Sequence, residues 1–201
     1  MSGPMPSRPL SQANLTIPNL ITLFRILLTP LFIIFLIQRN YNKALVVFLL
    51  AGVSDLADGL IARTWQQKSR LGSYLDPLAD KILMAASFVT LSIYRQIPSS
   101  LTVVVLSRDV ALALGVLIFR LADIPLVVRP SLAGKWTTTL QVITVGLVLL
   151  SKIWPISPLV LLGFFWATGI LTTISGIQYL YGGIRMMNMF QGNGPKEDGS
   201  G

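Results

Sequence analysis

Long apolar runs alternate with short polar connections along most of the chain. The hydrocarbon core of a bilayer is about 30 Å thick, and an α-helix needs about 20 apolar residues to cross it. Six segments meet that requirement, at residues 19–38, 43–62, 76–94, 98–121, 137–154 and 158–185. Pro155 and Pro158 mark the break before the last segment. The pattern predicts an all-α integral membrane protein with six transmembrane helices and both termini on the same side.

The composition agrees with a membrane protein and restricts its chemistry. Of 201 residues, 53% are hydrophobic and 12% are charged, and the mean hydropathy is +0.69, which is unlike a water-soluble domain. The chain has no cysteine and no histidine, which excludes a disulfide, a thiolate zinc site, an iron–sulfur cluster and a nucleophile activated by histidine. Any reaction must therefore rely on carboxylates.

The polar stretches indicate three regions and an orientation. Residues 1–18 form a cytosolic arm without the residue order of a signal peptide, residues 19–185 form the helical domain, and residues 186–201 form a flexible tail. Nine basic residues of the connections lie on the amino-terminal side and four lie opposite: Arg8, Arg63, Lys68, Arg70, Arg120, Arg129, Lys135, Arg185 and Lys196, against Arg39, Lys43, Arg95 and Lys152. Because positive connections stay in the cytosol, we expect a multi-pass protein of the cell (inner) membrane with both termini cytoplasmic.

The basic residues also bear on the choice of partner. The net charge of +8 is scattered along the chain and no soluble basic domain carries it. This distribution does not favour binding to nucleic acid. It favours the anionic headgroups of the lipid bilayer or the phosphates of a small ligand.

Four of the eight acidic residues lie within one window of 26 residues, flanked by apolar runs. Asp55 and Asp58 are three residues apart near the end of the second segment, and Asp76 and Asp80 are four apart at the start of the third. Each pair therefore shares one helical face. Four carboxylates at membrane depth require neutralisation, and two divalent cations with oxygen ligands, Mg²⁺ or Mn²⁺, provide it. Paired metals are typical of displacement at phosphorus.

The residues between the acids are consistent with a phosphate ligand. Gly59 and Ala62 leave room on the acidic face, and Arg63 offers a forked donor for phosphate oxygens. Ser69 adds a hydroxyl, and Gly72 helps the chain turn into the third helix. Lys68 and Arg70 lie in the same connection, so we expect the site to open on the cytosolic side.

The window resembles the signature of the CDP-alcohol phosphotransferase family. The eight signature positions are Asp55, Asp58, Gly59, Ala62, Arg63, Gly72, Asp76 and Asp80. The resemblance implies a homodimeric membrane enzyme with six helices and a site open to the cytosol. It also implies a reaction in which an alcohol displaces CMP from the β-phosphorus of a CDP-linked lipid.

The same resemblance implies a role for each residue of the window. Asp55, Asp58, Asp76 and Asp80 would hold the two metal ions, and Asp80 would also be the general base. The CDP-binding set would comprise Gly59, Ala62, Arg63, Ser69 and Gly72.

A polar stripe opens the first segment, where Asn19, Thr22 and Arg25 repeat every three residues. In the simpler interpretation Asn19 caps the helix and Arg25 extends to the membrane surface. The stripe resembles the Pro-Asn-x-x-Thr-x-x-Arg opening of phosphatidylglycerophosphate and cardiolipin synthases. That resemblance implies that Asn19 and Thr22 border the nucleotide.

Further basic residues suggest a site for the second substrate. Arg108 lies beside Asp109 within the fourth segment, and Lys135 precedes the fifth. An ordinary explanation is a local ion pair and a positive helix end. We expect Arg25, Arg108, Arg129 and Lys135 to gather as a cytosolic pocket for an anionic alcohol acceptor.

The sequences around these cations resemble two different subgroups. The Arg-Asp pair at 108–109 resembles that of the eukaryotic-type cardiolipin synthases. The Gly-Lys-x-x-Thr run that starts at Gly134 is similar to a Gly-Lys-x-Lys-Thr stretch of phosphatidylglycerophosphate synthases, with Thr137 in place of the second lysine. The acceptor is therefore either a small phosphorylated alcohol or a phospholipid.

The predicted function is phospholipid biosynthesis by transfer of a phosphatidyl group from CDP-diacylglycerol to sn-glycerol 3-phosphate, with release of CMP. The close alternative is cardiolipin synthesis with phosphatidylglycerol as acceptor. A cation-coupled membrane transporter is the alternative from another class, since intramembrane acids also mark ion pathways; a transport site would not need the glycines, Ala62 and Arg63 at fixed offsets. Purely structural ion pairs between the acids and nearby cations are less favoured because buried ion pairs are costly.

Overall fold

The computed structural model describes residues 17–65, 72–121 and 132–192. Over these ranges its regular elements are all helices, which confirms the all-α prediction. The helices are α1 (Ile17–Ile37), α2 (Tyr41–Trp65), α3 (Gly72–Ile93), α4 (Ser99–Leu121), α5 (Leu132–Leu150) and α6 (Pro158–Gly192).

Four helix ends differ from those predicted by four residues or more. Helix α3 begins at Gly72 and not at residue 76, α5 covers residues 132–150 in place of 137–154, and α6 continues to Gly192. Hydropathy alone set the predicted ends, and it does not detect polar residues that continue a helix or apolar residues in a turn. After α5, for example, the backbone N–H groups of Ile153 and Trp154 both bond to the Leu150 carbonyl, at 3.0 and 2.8 Å, in a turn.

Many apolar side chains of the described helices are exposed, among them Leu27, Val103 and Ile170. Among the described residues, three stretches are long and apolar enough to cross a bilayer, Ser99–Phe119, Ala133–Leu150 and Pro158–Met186. Shorter apolar stretches cover Ile21–Ile37 and Tyr41–Ser54. Exposed leucine, isoleucine and valine side chains on a helix are stable in contact with lipid, so the chain is a membrane protein.

The chain divides into two compact units, residues 1–86 and residues 87–201. In the first unit α1 packs along α2. The rings of Phe32 and Phe48 lie 5.8 Å apart at this contact, and Leu36, Ala44 and Ala51 are buried beside them. A continuous apolar seam therefore joins the two helices.

In the second unit α6 packs against both α4 and α5. Glycines of α6 at intervals of seven residues face larger residues of α4, and the facing pairs are Gly169 with Leu101, Gly176 with Arg108 and Gly183 with Phe119. A Cβ atom added at any of these glycines would lie 3.6–3.7 Å from the facing side chain. The residue numbers increase together in the three pairs, so α4 and α6 are parallel, and side chains of α4 pack beside the α6 backbone at these positions.

Arginines terminate α1 and α3 where glycine is usual. Arg39 and Arg95 have φ angles of 55° and 56°. In each turn the arginine N–H bonds to the carbonyl three residues earlier, and the following N–H bonds to the carbonyl five residues earlier, at 2.8–3.0 Å. This is the Schellman arrangement, which satisfies the last carbonyls of a helix. Both helices therefore end sharply before the next one begins.

Candidate functional site

The signature acids lie on two helices, as predicted. Helix α2 carries Asp55 and Asp58, and α3 carries Asp76 and Asp80. The side chains of residues 55–77 lie outside the described part of the structure, as does Ser69 altogether. Of the four carboxylates, only that of Asp80 is described, and its side chain is half-buried.

Helical spacing places the four acids in line with the buried residues of α2 and α3. On α2 the buried residues Ala44, Phe48 and Ala51 form one stripe, and steps of four and seven residues from position 51 reach positions 55 and 58. On α3 the buried residues Leu83 and Met84 lie seven and four residues after positions 76 and 80. All four signature acids thus occupy register positions that continue a buried stripe.

The opening stripe of α1 is buried. Thr22 has no exposed surface and Arg25 is only 1% exposed, and Leu28 and Phe32 continue the same buried face. The interpretation in which Arg25 extends to the membrane surface is therefore wrong. A buried arginine in an apolar helix is costly and is typical of a functional position. The side chain of Asn19 lies outside the described residues.

Arg108 is held between α4 and α6. Its Nη1 atom lies 2.8 Å from Oδ1 of Asp109, which confirms the local ion pair, and its Nη2 atom donates to Oγ of Ser175 at 3.1 Å. The aliphatic part of the side chain lies against Gly176. Its Nε atom is buried without a hydrogen-bond acceptor among the described residues. The guanidinium is therefore fixed at two nitrogens and retains a donor at the third.

The other predicted acceptor residues are distributed differently. Lys135 is exposed in the first turn of α5, where a positive charge opposes the helix dipole. Arg129 lies outside the described residues. Arg25 belongs to the first unit, whereas Arg108 and Lys135 belong to the second. Their convergence in one pocket stays a prediction.

The structure gives a reason for threonine at position 137. Thr137 has no exposed surface, and its Oγ1 atom lies 2.8 Å from the Ala133 carbonyl and 3.2 Å from the Leu171 carbonyl of α6. A lysine side chain would be too long for this contact, and its charge would be buried. This departure from the Gly-Lys-x-Lys-Thr pattern therefore belongs to the packing of α5 on α6.

A buried polar seam between α5 and α6 was missed in the sequence. Thr144 and Thr168 share a hydrogen bond of 2.7 Å, and Nε2 of Gln141 donates to Oγ1 of Thr172 at 3.3 Å. The seam comprises Thr137, Gln141 and Thr144 on α5, and Thr168, Thr172 and Ser175 on α6, all buried. The steps of four and three residues on each helix could have revealed it, because they place polar groups on one face of an apolar helix.

A groove of about 600 Å³ lies between α4 and α6. Its lining is mainly apolar, with Leu101, Val104, Phe165 and Ile170 among the contributing residues. The lining carries no ionisable side chain. It is therefore suited to apolar contacts and not to phosphoryl chemistry.

Comparison with known proteins bears on the signature as a whole. The sequence model of the CDP-alcohol phosphatidyltransferase family matches residues 15–175, a range that contains all eight signature positions. The chain is 34% identical to the cardiolipin synthase (CMP-forming) of Homo sapiens over 206 residues, covering 94% of this chain and 68% of that protein. The corresponding protein of Rattus norvegicus is 34% identical over 194 residues, covering 88% of this chain and 64% of its own length.

A bacterial relative is similar over nearly its whole length. The CDP-diacylglycerol–glycerol-3-phosphate 3-phosphatidyltransferase of Haemophilus influenzae is 33% identical over 179 residues, covering 82% of this chain and 91% of that protein. The chain thus spans most of the bacterial relative but just under two thirds of the rat one.

Proposed function

The chain belongs to the CDP-alcohol phosphatidyltransferase family, and from this membership we propose that it transfers a phosphatidyl group from CDP-diacylglycerol to sn-glycerol 3-phosphate. The products are phosphatidylglycerophosphate and CMP. The complete eight-residue signature within the matched range carries the proposal. Family membership also favours an enzyme over a cation-coupled transporter.

The donor set of the signature fits a pair of hard divalent cations. Asp55, Asp58, Asp76 and Asp80 offer only carboxylate oxygens, and the half-burial of Asp80 agrees with a charge that needs neutralisation. Two Mg²⁺ or Mn²⁺ ions held there would screen the negative charge of the diphosphate. As a metal ligand, Asp80 would also attach the metal site to α3.

Side chains of the protein accept the proton of the acceptor and bind the nucleotide. Asp80 accepts the proton of the acceptor hydroxyl, the hydroxyl oxygen bonds to the β-phosphorus, and the bond from that phosphorus to the CMP oxygen breaks. CMP leaves with the electron pair of the broken bond. The nucleotide is bound by Asn19, Thr22, Gly59, Ala62, Arg63, Ser69 and Gly72.

The acceptor is recognised through its phosphate. Arg25, Arg108, Arg129 and Lys135 supply the cationic groups, and the burial of Arg25 and Arg108 supports their assignment to a ligand site. Cardiolipin synthesis is the second candidate, because the Arg-Asp pair at 108–109 and the coverage of the human cardiolipin synthase favour it. Phosphatidylglycerol would then offer its phosphodiester to the same cations.

We further propose that the protein is a homodimer with six membrane spans, in the cell (inner) membrane, with both termini in the cytoplasm. The distribution of basic residues supports the orientation. The two shorter apolar stretches of α1 and α2 support additional spans. The site would then meet a soluble acceptor at the cytosolic surface.

The direct test is an acceptor panel. Purified protein in detergent receives CDP-diacylglycerol and Mg²⁺ with glycerol 3-phosphate, phosphatidylglycerol, inositol phosphate or serine, and the lipid products are identified by mass spectrometry. We expect phosphatidylglycerophosphate from glycerol 3-phosphate. Cardiolipin as the sole product would establish the second candidate instead, and failure to release CMP with every acceptor would contradict both.

Replacing Lys135 with glutamine tests the acceptor site. Lys135 is exposed, so its loss leaves the packing intact. We expect the KM for the acceptor to rise about 5-fold to 10-fold, as for the loss of one charge-assisted hydrogen bond, and the KM for CDP-diacylglycerol to change less than about twofold. Lys152→Gln is the matched control, because Lys152 is also exposed and lies in the turn after the same helix. Equal effects on both substrates would remove Lys135 from the acceptor site.

A further inference from the structure

The geometry around Arg108 points to a positioning role for Ser175, which we propose orients the Arg108 guanidinium so that its Nε–H group meets a phosphate oxygen of the acceptor. The inference rests on the proposed function only in naming the acceptor as the ligand. Ser175 lies 67 residues away in sequence, on α6.

Arg108 and Ser175 are both buried. Arg108 is 9% exposed and Ser175 is 3% exposed. In such surroundings each hydrogen bond of a guanidinium is stronger than in water, and each donor left without an acceptor is costly. The contact between Nη2 and Ser175 is therefore more than incidental packing.

Two hydrogen bonds fix the orientation of the Arg108 guanidinium. Asp109 accepts from Nη1 at 2.8 Å and Ser175 accepts from Nη2 at 3.1 Å. Because a guanidinium is planar and rigid, contacts at two nitrogens determine the plane of the group and the direction of the third N–H. The aliphatic part of the Arg108 side chain packs beside Gly176, where a Cβ atom would lie at the ordinary contact distance of 3.6 Å from Cγ of Arg108.

The guanidinium has a further donor, the Nε–H group. The Nε atom of Arg108 is buried and has no acceptor within the described ranges of the chain. A buried donor on a charged group requires an explanation, and a ligand oxygen is the simplest one at a cation already assigned to the acceptor. The ion pair with Asp109 holds the group in place, so the ligand meets an oriented donor. The shared chemistry is a phosphate oxygen, whether from glycerol 3-phosphate or from the phosphodiester of phosphatidylglycerol.

Three variants test the role of Ser175. Ser175→Ala removes the acceptor for Nη2, and Ser175→Thr retains a hydroxyl at the same position. Thr173→Ala is the matched control, because Thr173 is on the same helix and its exposed Oγ1 bonds only within that helix, to the Gly169 carbonyl at 2.9 Å.

Steady-state kinetics give the first readout. We expect Ser175→Ala to raise the KM for the acceptor about tenfold, with the KM for CDP-diacylglycerol changed less than about twofold. Ser175→Thr should restore the acceptor KM to within about threefold of wild type, and Thr173→Ala should leave both constants unchanged. A uniform loss of kcat with both KM values unchanged, or no rescue by threonine, would overturn the inference.

Ligand-induced thermal stabilisation gives a second readout that does not need turnover. Glycerol 3-phosphate and short-chain phosphatidylglycerol are added separately to each variant in detergent, without CDP-lipid, and the shift in Tm is measured. We expect at least one of the two to stabilise wild type and Ser175→Thr more than Ser175→Ala, and the active one identifies the source of the phosphate. Equal shifts in all variants, or none, would contradict the role of Ser175. A selective shift in a protein that releases no CMP would uphold it and overturn the proposed function.

Discussion

Replacing Asp80 with asparagine is expected to lower the rate of CMP release about 10³-fold, because general-base catalysis contributes about 10² to 10⁴ and the same change removes one metal ligand. Asparagine has nearly the shape of aspartate but neither the charge nor the basicity. The half-buried position of Asp80 on α3 tolerates such a neutral replacement. CMP release from CDP-diacylglycerol with saturating acceptor measures the effect.

The control for this variant separates loss of chemistry from loss of fold. Asp198→Asn also removes one carboxylate, but from outside the residues that match the family, so its rate should equal that of wild type. Both variants should retain the elution profile of wild type in detergent and unfold in one cooperative thermal transition. If Asp80 is the base, raising Mg²⁺ tenfold will not restore the rate. Turnover within tenfold of wild type would exclude Asp80 from that role.

The hydrophobic pattern was sufficient to predict the helices but not their ends. All six helices overlap the predicted segments, because an apolar run of this length is stable in lipid only as a helix. The end of α5 was misplaced because Ile153 and Trp154 are as apolar as the helix before them. The turn is marked by the N–H groups of Lys152 and Ile153, which bond three residues back, to the carbonyls of Leu149 and Leu150.

Some contacts of the candidate site could be predicted from the local sequence, and others arise only when the helices pack together. The ion pair of Arg108 with Asp109 joins adjacent residues and could be anticipated from the sequence. The contact with Ser175 joins helices that only folding brings together. The sequence also does not decide whether Arg25 is buried, because an arginine side chain is long enough to reach the surface from many positions in a span. Packing against other helices determines whether the side chain is buried or reaches the surface, and the local sequence does not predict that packing.

Chelation should abolish activity more completely than any single substitution. The four signature carboxylates of α2 and α3 carry a formal charge of −4. Metal ions supply several kcal/mol of charge stabilisation at a transferring phosphoryl group, which corresponds to about three decades in rate or more. We therefore expect EDTA to reduce CMP release at least about 10³-fold, and added Mg²⁺ or Mn²⁺ to restore it.

Chelation should also affect the fold, and this gives a measurement independent of turnover. Without cations the four acids repel one another at membrane depth, so the Tm in EDTA should be lower than in Mg²⁺. The difference should be smaller in Asp80→Asn, because that variant has one negative charge fewer and one ligand fewer, and unchanged in Asp198→Asn. Full turnover in EDTA would contradict the two-metal site directly. A Tm that does not respond to Mg²⁺ in wild type would show that the acids do not form a shared cation site.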